Sequence, residues 1–303
     1  MAENESSKAE ARPELTTDLT SISGVVIHQS AQPGEAISQA FGIPFEAKNK
    51  YVVSAIPDGA SVVSSSSDAK LWQPSLEDIK SLPELFIAKE DSDCFTRVLF
   101  TFCGCRALRP MEIRIKELGR DTSTYMHKPF KCGGPLCCPL EMQVANEGGG
   151  NIGSVKENFD PYCSKCFECC CTCTVYHNVY PSSTPVAPST KSMERDGELG
   201  EPKYELKFNT CCCGDNNNFC GATCFNHNSF FQIRDPSSEK VVGNIQKLFA
   251  PSSDSGCSGV LRCCFGYDTF AITFPEGSSH EDRMTLIAGI MQAEFQIWEK
   301  DQD

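Results

Sequence analysis

The feature that most constrains the fold of this chain is a series of short runs with the pattern of β-strands. They alternate apolar and polar residues or are rich in β-branched side chains, and they cover residues 51–56, 85–89, 111–116, 141–145, 204–208, 230–234, 241–248 and 269–274. Turn residues such as Pro57-Asp58-Gly59 and Asp235-Pro236-Ser237 separate them. Many short strands at this spacing are typical of an antiparallel sandwich or barrel. The sequence therefore predicts a mainly β fold.

Three segments fall outside this strand pattern. Residues 1–40 are mostly polar and are predicted to be a flexible tail, in which residues 25–29 form a short strand or helix that docks on the domain. Residues 60–80 are rich in Ser and Asp, and residues 181–202 are rich in Pro, Ser and charged side chains. Both are predicted to be mobile surface loops. Neither is long enough to form a domain, so residues 41–303 are predicted to be one domain.

The C-terminal segment has helical periodicity. Glu281 and Asp282 suit the start of a helix. The apolar residues that follow at helical spacing are Met284, Ile287, Ile290, Met291, Phe295 and Trp298. Polar residues interrupt this apolar run within about 10 residues, whereas a bilayer span needs roughly 20. We therefore expect a helix that is buried in the domain, with contact to lipid as the alternative, and not a transmembrane anchor.

The charge of the chain limits its partners. A net charge of −13 argues against a broad positive surface for nucleic acid or anionic lipid. No nucleic-acid partner is therefore expected. The sequence contains no Gly-rich phosphate loop, and its five His residues are scattered without a nucleophile in a recognisable setting. The sequence does not indicate hydrolytic or transfer catalysis.

Cysteine content is the second unusual property of the composition. The chain has 20 cysteines, and residues 1–20 have no apolar core of a signal peptide. Thiols of a cytosolic chain stay reduced, so a disulfide framework is not expected. The remaining interpretations are zinc binding, acylation, or burial as small apolar side chains.

Zinc is one interpretation of two of the clusters. Cys163 and Cys166 have ligand-like spacing, and Cys211 and Cys213 are the candidate partners for the same ion. The cysteines around them are crowded, and adjacent cysteines cannot all face one ion. Acylated or buried thiols therefore remain alternatives for these clusters.

The order of several motifs along the chain indicates a family. Residues 131–141 read KCGGPLCCPLE, and other matches occur in order as NKY at 49–51, EDSDCFTR at 90–97, CCCGD at 211–215, VVGNI at 241–245 and FAITFP at 270–275. Each motif is weak alone, but their colinear order resembles that of the phospholipid scramblases. The resemblance runs from about residue 49 to residue 299.

This resemblance implies a fold and a function. The expected fold is a tubby-like antiparallel β-barrel of about a dozen strands around a central C-terminal α-helix. The expected function is energy-independent, bidirectional movement of phospholipids between membrane leaflets, triggered by calcium. It also implies palmitoylation in the 131–141 motif, at Cys132, Cys137 and Cys138, with ordinary buried thiols as the alternative. Stable anchoring usually takes two acyl chains.

The calcium prediction depends on two carboxylates near the FAITFP motif. Asp268 matches one acidic position of the loop that the family is proposed to use, and Glu276 lies beside its end. Calcium takes six to eight oxygen ligands, so an ordinary strand followed by a turn is the alternative.

Three functional hypotheses follow. The first is a scramblase on the cytoplasmic face of the plasma membrane or another cellular membrane, with membrane phospholipids as partners and a homo-oligomer left open. The second is an acyl-anchored lipid-binding or signalling adaptor that does not translocate lipid. The third is a structural zinc protein.

Overall fold

The computed structural model of the chain describes residues 18–30, 49–62, 71–91, 109–117, 123–131, 139–158, 174–181, 200–209, 228–248 and 269–298. Within them, twelve antiparallel strands form a closed barrel in which each strand pairs with its neighbours in sequence and β1 pairs with β12. The strands are β1 Gly24–Gln29, β2 Lys50–Ala55, β3 Glu84–Glu90, β4 Met111–Glu117, β5 Ser123–Lys128, β6 Glu141–Asn146, β7 Asn151–Glu157, β8 Thr174–Pro181, β9 Tyr204–Asn209, β10 Ser229–Arg234, β11 Val241–Lys247 and β12 Thr269–Thr273. The predicted mainly β barrel is confirmed.

The C-terminal helix lies inside this barrel. Helix α2, His280–Ala293, begins with a capping box between Ser279 and Asp282 and continues as a π-helical turn, Glu294–Trp298. Every residue from Asp282 to Ala293 is buried, and a helix that is buried around its whole circumference has neighbours on all sides. The six apolar residues predicted for it are all buried, namely Met284, Ile287, Ile290, Met291, Phe295 and Trp298. The prediction of a central helix is confirmed.

One core joins this helix to the strands. The apolar side chains of α2 form a single cluster with inward-facing residues of every strand, such as Val25 of β1, Ile113 of β4 and Leu206 of β9. Where the π-helical turn ends, the Trp298 ring packs against Phe208, Phe231 and Phe270 at centroid distances of 6.1, 5.6 and 5.1 Å. The interior of the described barrel is thus filled by side chains.

Two glycines allow the helix to lie close to the sheet. A Cβ at Gly153 of β7 would overlap the side chain of Thr285, and a Cβ at Gly289 of α2 would overlap Leu206. Glycine weakens both strands and helices. Its presence at these two positions is explained by the close approach of α2 to β7 and β9.

A second apolar layer covers part of the outer face of the barrel. The short helix α1, Leu76–Ser81, starts at a capping box between Ser75 and Asp78. Its Ile79 packs with Val26 of β1 and Ala271 of β12. This helix lies within residues 60–80, which were predicted as a loop. That prediction is corrected for residues 76–80, since the apolar residues of α1 cover the outside of the barrel.

The N-terminal boundary of the barrel also differs from the prediction. The docked segment predicted at residues 25–29 is confirmed as strand β1, but it is part of the barrel and not of a tail, since it pairs with both β2 and β12. The domain therefore begins before residue 41, because without β1 the barrel would not close. None of the described helices is long and apolar enough to cross a membrane.

Candidate functional site

The connectivity of the barrel divides its connections between two ends. Because neighbouring strands are antiparallel and consecutive, the connections that follow β1, β3, β5, β7, β9 and β11 leave from one end. The connections that follow the even-numbered strands leave from the other end. Helix α2 enters from this second end after β12, and its π-helical turn reaches the first end.

All of the cysteines belong to connections of the first end. Cys94, Cys103 and Cys105 follow β3; Cys132, Cys137 and Cys138 follow β5; Cys163, Cys166, Cys169, Cys170, Cys171 and Cys173 follow β7; Cys211, Cys212, Cys213, Cys220 and Cys224 follow β9; and Cys257, Cys263 and Cys264 follow β11. The 20 cysteines lie outside the described residues, but the strand ends on either side of each group are described. We call this end of the barrel the cysteine end.

The predicted palmitoylation sites and zinc ligands therefore all belong to connections that leave from the cysteine end. Cys132, Cys137 and Cys138 lie outside the described residues, so their acylation stays a prediction. The same holds for Cys163, Cys166, Cys211 and Cys213 as zinc ligands. The strand ends that border these two cysteine clusters are neighbours, because Thr174 of β8 is paired with Asn209 of β9. Among the described residues, no group of three or more His, Cys, Asp or Glu side chains is arranged to hold a metal ion.

An exposed aromatic ring lies beside the predicted acylation motif. Phe130 follows β5 and is 52% exposed. The next residue, Lys131, forms an ion pair with Glu141 of β6 at 2.7 Å. Large apolar side chains with this exposure are few in the described part of the chain, the others being Val241 and Val242. Phe130 thus presents apolar surface at the cysteine end, two positions before Cys132.

Buried charges support the base of the same end. Arg109, just before β4, pairs with Glu90 of β3 at 3.3 Å, and both side chains are buried. Lys128 of β5 is also buried, and its Nζ donates to the Arg109 carbonyl at 2.8 Å. Buried charges are costly unless they are paired. These contacts therefore fix the ends of β3, β4 and β5 from which two of the cysteine-bearing connections leave.

A buried chain of hydrogen bonds, the His177 chain, connects the end of the central helix to β7 and β8. The Gln296 amide nitrogen donates to Glu157 of β7 at 2.7 Å, and its amide oxygen lies 2.8 Å from Nε2 of His177 on β8. Because a carboxylate only accepts hydrogen bonds, Gln296 must direct its NH₂ group at Glu157 and its oxygen at His177. Nε2 of His177 is therefore the donor. Glu157 also accepts the backbone N–H of Leu140 at 3.1 Å.

Burial controls the protonation of this histidine. Removal from water lowers the pKa of His177 to about 4, although hydrogen bonds to Gln296 and to the backbone of Gly289 act in the opposite direction. His177 is therefore neutral near pH 7. The hydrogen bonds among Gln296, Glu157 and His177 hold the end of α2 in place, and these three side chains include no activated nucleophile.

The opposite end carries an excess of carboxylates. Its described carboxylates, in the connections and at the strand ends, are Asp18, Asp58, Glu77, Asp78, Glu84, Glu147, Glu201, Glu205, Asp235, Glu239, Glu276, Glu281 and Asp282. Its described cations are fewer, namely Lys80, Lys116, Lys203, Arg234, Lys240 and Arg283. At the cysteine end, the numbers of described cations and carboxylates are nearly equal. The cations are Lys50, Lys89, Arg109, Lys128, Lys131, Lys156 and Lys247, and the carboxylates are Glu90, Asp91, Glu112, Glu141, Glu157 and Glu294. We call the second end the acidic end.

The start of α2 is held at the acidic end. Arg283 donates to the carbonyls of Leu19 and Ile22, the latter at 2.7 Å. Asp282 accepts from Lys203 Nζ at 2.6 Å. Burial acts to lower the pKa of Lys203, but its interactions with Asp282 and Tyr204 outweigh this and raise the pKa. Lys203 therefore keeps its positive charge at neutral pH beside Asp282.

The two predicted calcium ligands are separated by a strand. Glu276 follows β12 at the acidic end, whereas Asp268, which lies outside the described residues, directly precedes Thr269 at the cysteine end. A strand of this length spans roughly 13 Å at about 3.3 Å per residue, and calcium binds oxygens at about 2.3–2.6 Å. The geometry of β12 does not favour these two carboxylates as ligands of one ion.

No protein-family model matches the sequence, and no solved structure matches the chain. The separation of cysteines from carboxylates, the exposed Phe130 and the His177 chain were not predicted. The separation of cysteines from carboxylates depends on the number of strands between the motifs. The hydrogen bonds of His177 join residues that are distant in sequence.

Proposed function

We propose that this chain is an acyl-anchored phospholipid scramblase that faces the membrane with the cysteine end of its barrel. The observation that carries the proposal is the restriction of all 20 cysteines to connections of one end. The resemblance of the colinear motifs to those of scramblases supports the lipid-moving activity, and the barrel with its central helix is the architecture that this resemblance implies.

The cysteine distribution suits anchoring by more than one acyl chain. A single chain gives only marginal binding, and each buried methylene contributes about 0.8 kcal/mol. Two chains act together only if their attachment sites face the same bilayer. Cys132, Cys137 and Cys138 belong to one connection, and the other cysteine-bearing connections leave from the same end.

Phe130 adds apolar surface to this end. Its ring is about half exposed beside the acylation motif. An exposed apolar ring in this position gains free energy when it is buried at the boundary between headgroups and acyl chains.

The charge distribution reduces repulsion from an anionic membrane in this orientation. The net charge is −13, but the excess of described carboxylates lies at the acidic end. The strands between the two ends span roughly 15–20 Å, about twice the Debye length of ~8 Å at physiological ionic strength. Carboxylates at the acidic end are therefore largely screened from a surface that the cysteine end touches.

The filled interior limits the mechanism of lipid movement. Helix α2 and the inward side chains occupy the described interior, so a headgroup has no passage through the barrel. Translocation by this chain therefore requires bilayer distortion, assembly of several copies, or insertion of the last helix. The same observation favours the second candidate function, an acyl-anchored lipid-binding or signalling adaptor that does not translocate lipid.

Leaflet exchange of fluorescent phospholipids in liposomes tests the proposal. The protein is produced in a host that acylates cysteines and is assayed with and without calcium, beside Cys137→Ala/Cys138→Ala and Asp268→Ala variants. We expect exchange by the acylated protein, and loss of both membrane binding and exchange in the double variant. Tethering the double variant through a histidine tag to nickel-chelating lipid separates anchoring from translocation, and exchange should then return.

Two outcomes decide between the candidates. Folded, membrane-bound protein that produces no exchange with or without calcium would exclude translocation and leave the adaptor. Calcium-stimulated exchange that disappears in Asp268→Ala but persists in Glu276→Gln would support a calcium site at the cysteine end alone.

A further inference from the structure

We propose that a cleft at the acidic end docks an extended basic segment of a partner protein, in which an apolar side chain lies between cationic ones. The cleft has a volume of 480 Å³ and is formed by the start of β9, the β10–β11 turn, the start of β11 and the connection from β12 to α2. Its lining includes Tyr204, Asp235, Ser237, Val242 and Glu276, together with three prolines. This inference goes beyond lipid movement and does not depend on it.

The cleft has an apolar floor that is open to water. Val242 is 36% exposed and lines the cleft, whereas its neighbour Val241, 47% exposed, does not. The pairing of β11 with β12 begins only at Asn244, so these two valines extend past the partner strand. Three prolines and the ring of Tyr204 complete the apolar lining. Exposed apolar side chains of this kind, rimmed by polar residues, mark interaction sites.

The charge of the cleft selects a cationic partner. Its carboxylates are Asp235 and Glu276, and neither forms an ion pair with a described residue. Two nearby cations are already engaged: Lys203 pairs with Asp282 at 2.6 Å, and Arg234 lies 3.6 Å from Glu205 and 3.1 Å from Glu239. A third, Lys240, is exposed directly before β11 and does not line the cleft. Lysine or arginine side chains of a partner would therefore meet unpaired negative charge.

The rim of the cleft is fixed before any partner binds. Asp235 accepts hydrogen bonds from the backbone N–H and the hydroxyl of Ser237 at 2.8 and 2.7 Å. These hydrogen bonds lower the pKa of Asp235, so it is ionised at neutral pH. Glu239 has a left-handed backbone with φ 56, and Arg234 donates to its carbonyl at 3.2 Å. A preformed rim reduces the conformational entropy that binding would remove.

The barrel itself excludes another common mode of peptide binding. All twelve strands are paired in a closed sheet, so a peptide has no complete sheet edge to extend. Only the first three residues of β11 lack a partner on the β12 side, so recognition at this cleft comes mainly from side chains, namely apolar contact with Val242 and the prolines and charge contact with Asp235 and Glu276. A segment that alternates basic and apolar residues meets both requirements.

Fluorescence anisotropy with the full-length chain tests this docking site. The probe is a fluorescein-labelled octapeptide that alternates arginine with leucine, and the comparison peptide has glutamate in place of arginine. At about 50 mM salt, where charge contacts are weakly screened, we expect binding of the arginine peptide only. Glu276→Gln should weaken it about threefold, Val242→Ser about fivefold, and the double variant at least about tenfold.

Glu147→Gln is the matched control, because Glu147 is an exposed carboxylate of the β6–β7 turn at the same end. It should leave the peptide affinity unchanged. Equal losses from Glu147→Gln and Glu276→Gln would overturn the proposal and indicate general attraction to the acidic end. Unchanged binding in the Glu276→Gln/Val242→Ser double variant would also overturn it. A tenfold gain in peptide affinity in a Lys191→Gln/Arg195→Gln variant would assign the cleft to the chain's own residues 182–199 and exclude a separate partner.

Discussion

The two ends of the barrel hold the same helix by different physical means. At the acidic end, α2 begins with a capping box, an ion pair from Lys203 and the contacts of Arg283 with two backbone carbonyls. The Lys203 side chain is 50% exposed, so this end is partly hydrated. At the cysteine end, the last turn is held by packing around Trp298 and by a buried polar chain through Gln296. The helix is therefore held mainly by burial at the cysteine end, and by charge and backbone hydrogen bonds at the acidic end.

This difference also separates the two proposed roles. An anchored end that approaches a bilayer benefits from contacts that do not depend on water or salt. An end that faces solvent and binds a charged partner benefits from exposed charges that are partly paired among themselves. If the two ends differ in this way, substitutions at each end should lower the free energy of unfolding through the interactions found there.

The largest expected effect concerns the aromatic packing at the cysteine end. Trp298→Ala should lower the free energy of unfolding by about 3–5 kcal/mol, because the indole fills the space between Phe208, Phe231 and Phe270. Denaturant unfolding followed by circular dichroism measures the loss. Trp72→Ala is the control, since Trp72 is only partly buried in the outer layer, and should cost less than half as much. Equal losses would contradict a core that is closed by Trp298.

The next effect concerns the acidic end. Arg283→Met should lower the free energy of unfolding by about 2–3 kcal/mol, because the carbonyls of Leu19 and Ile22 lose a charged donor. The same denaturant assay applies. Arg114→Met serves as the control, since Arg114 is 52% exposed in its pair with Asp91, and should change stability by no more than about 0.5 kcal/mol. A comparable loss in the control would remove the special role of Arg283.

The third effect is the pH dependence of stability that comes from buried His177 of β8. The pKa of His177 is lowered to about 4 in the folded protein from 6.5, so the unfolded chain binds the proton first on acidification. The stabilising contribution is complete above about pH 6.5 and is lost as pH falls toward 4. Between pH 7.5 and pH 5, the free energy of unfolding should fall by about 2 kcal/mol from this group. His177→Gln should flatten that part of the curve, whereas His127→Gln, at an exposed position of β5, should not. A curve that is unchanged by His177→Gln would show that this histidine is not a buried neutral group.

The smallest effect concerns the first turn of α2. Ser279→Ala should lower the free energy of unfolding by about 1 kcal/mol, because the Ser279 hydroxyl accepts from the N–H of Asp282. Ser21→Ala, which removes an exposed hydroxyl at the same end, should change it by less than about 0.5 kcal/mol. Thermal unfolding resolves the difference. A loss of 3 kcal/mol or more would mean that the cap does more than complete one helix turn.

Much of this fold can be predicted from local patterns. The eight predicted strand runs correspond to β2, β3, β4, β6, β9, β10, β11 and β12, and the boundaries agree within one residue. They alternate in polarity because one face packs on α2. The helix was also identified, since its apolar residues and its acidic first turn are local signals.

Three strands were missed for identifiable reasons. Strand β5 has Thr124 as well as Met126 on its buried side, so its apolar period is weak. Strand β7 contains Gly153 and Ser154, and Gly153 is explained only by its contact with α2. Strand β8 buries His177 among apolar neighbours. In each case a tertiary contact replaces the local pattern that sequence reasoning uses.

The missed strands also hid the candidate site. The end from which a connection leaves depends on the number of strands that precede it, so every uncounted strand reverses the assignment for the rest of the chain. With β5, β7 and β8 uncounted, the cysteine motifs cannot be assigned to one end. The polar chain of Glu157, Gln296 and His177 needs contacts across 119 and 139 residues of sequence. The calcium pair illustrates the opposite case, since Asp268 and Glu276 are close in sequence and β12 separates them.

The pairing of β1 with β12 sets the order in which this barrel can form. His28 contacts Thr269 across 241 residues of sequence, and Arg283 reaches back to Leu19 and Ile22. During synthesis, β1 has no partner on one side until β12 has left the ribosome, and the sheet has no core until α2 follows. Non-local pairings of this kind fold slowly and leave strand edges exposed while they wait. The growing chain therefore exposes open strand edges, which chaperones can cover, until the barrel closes.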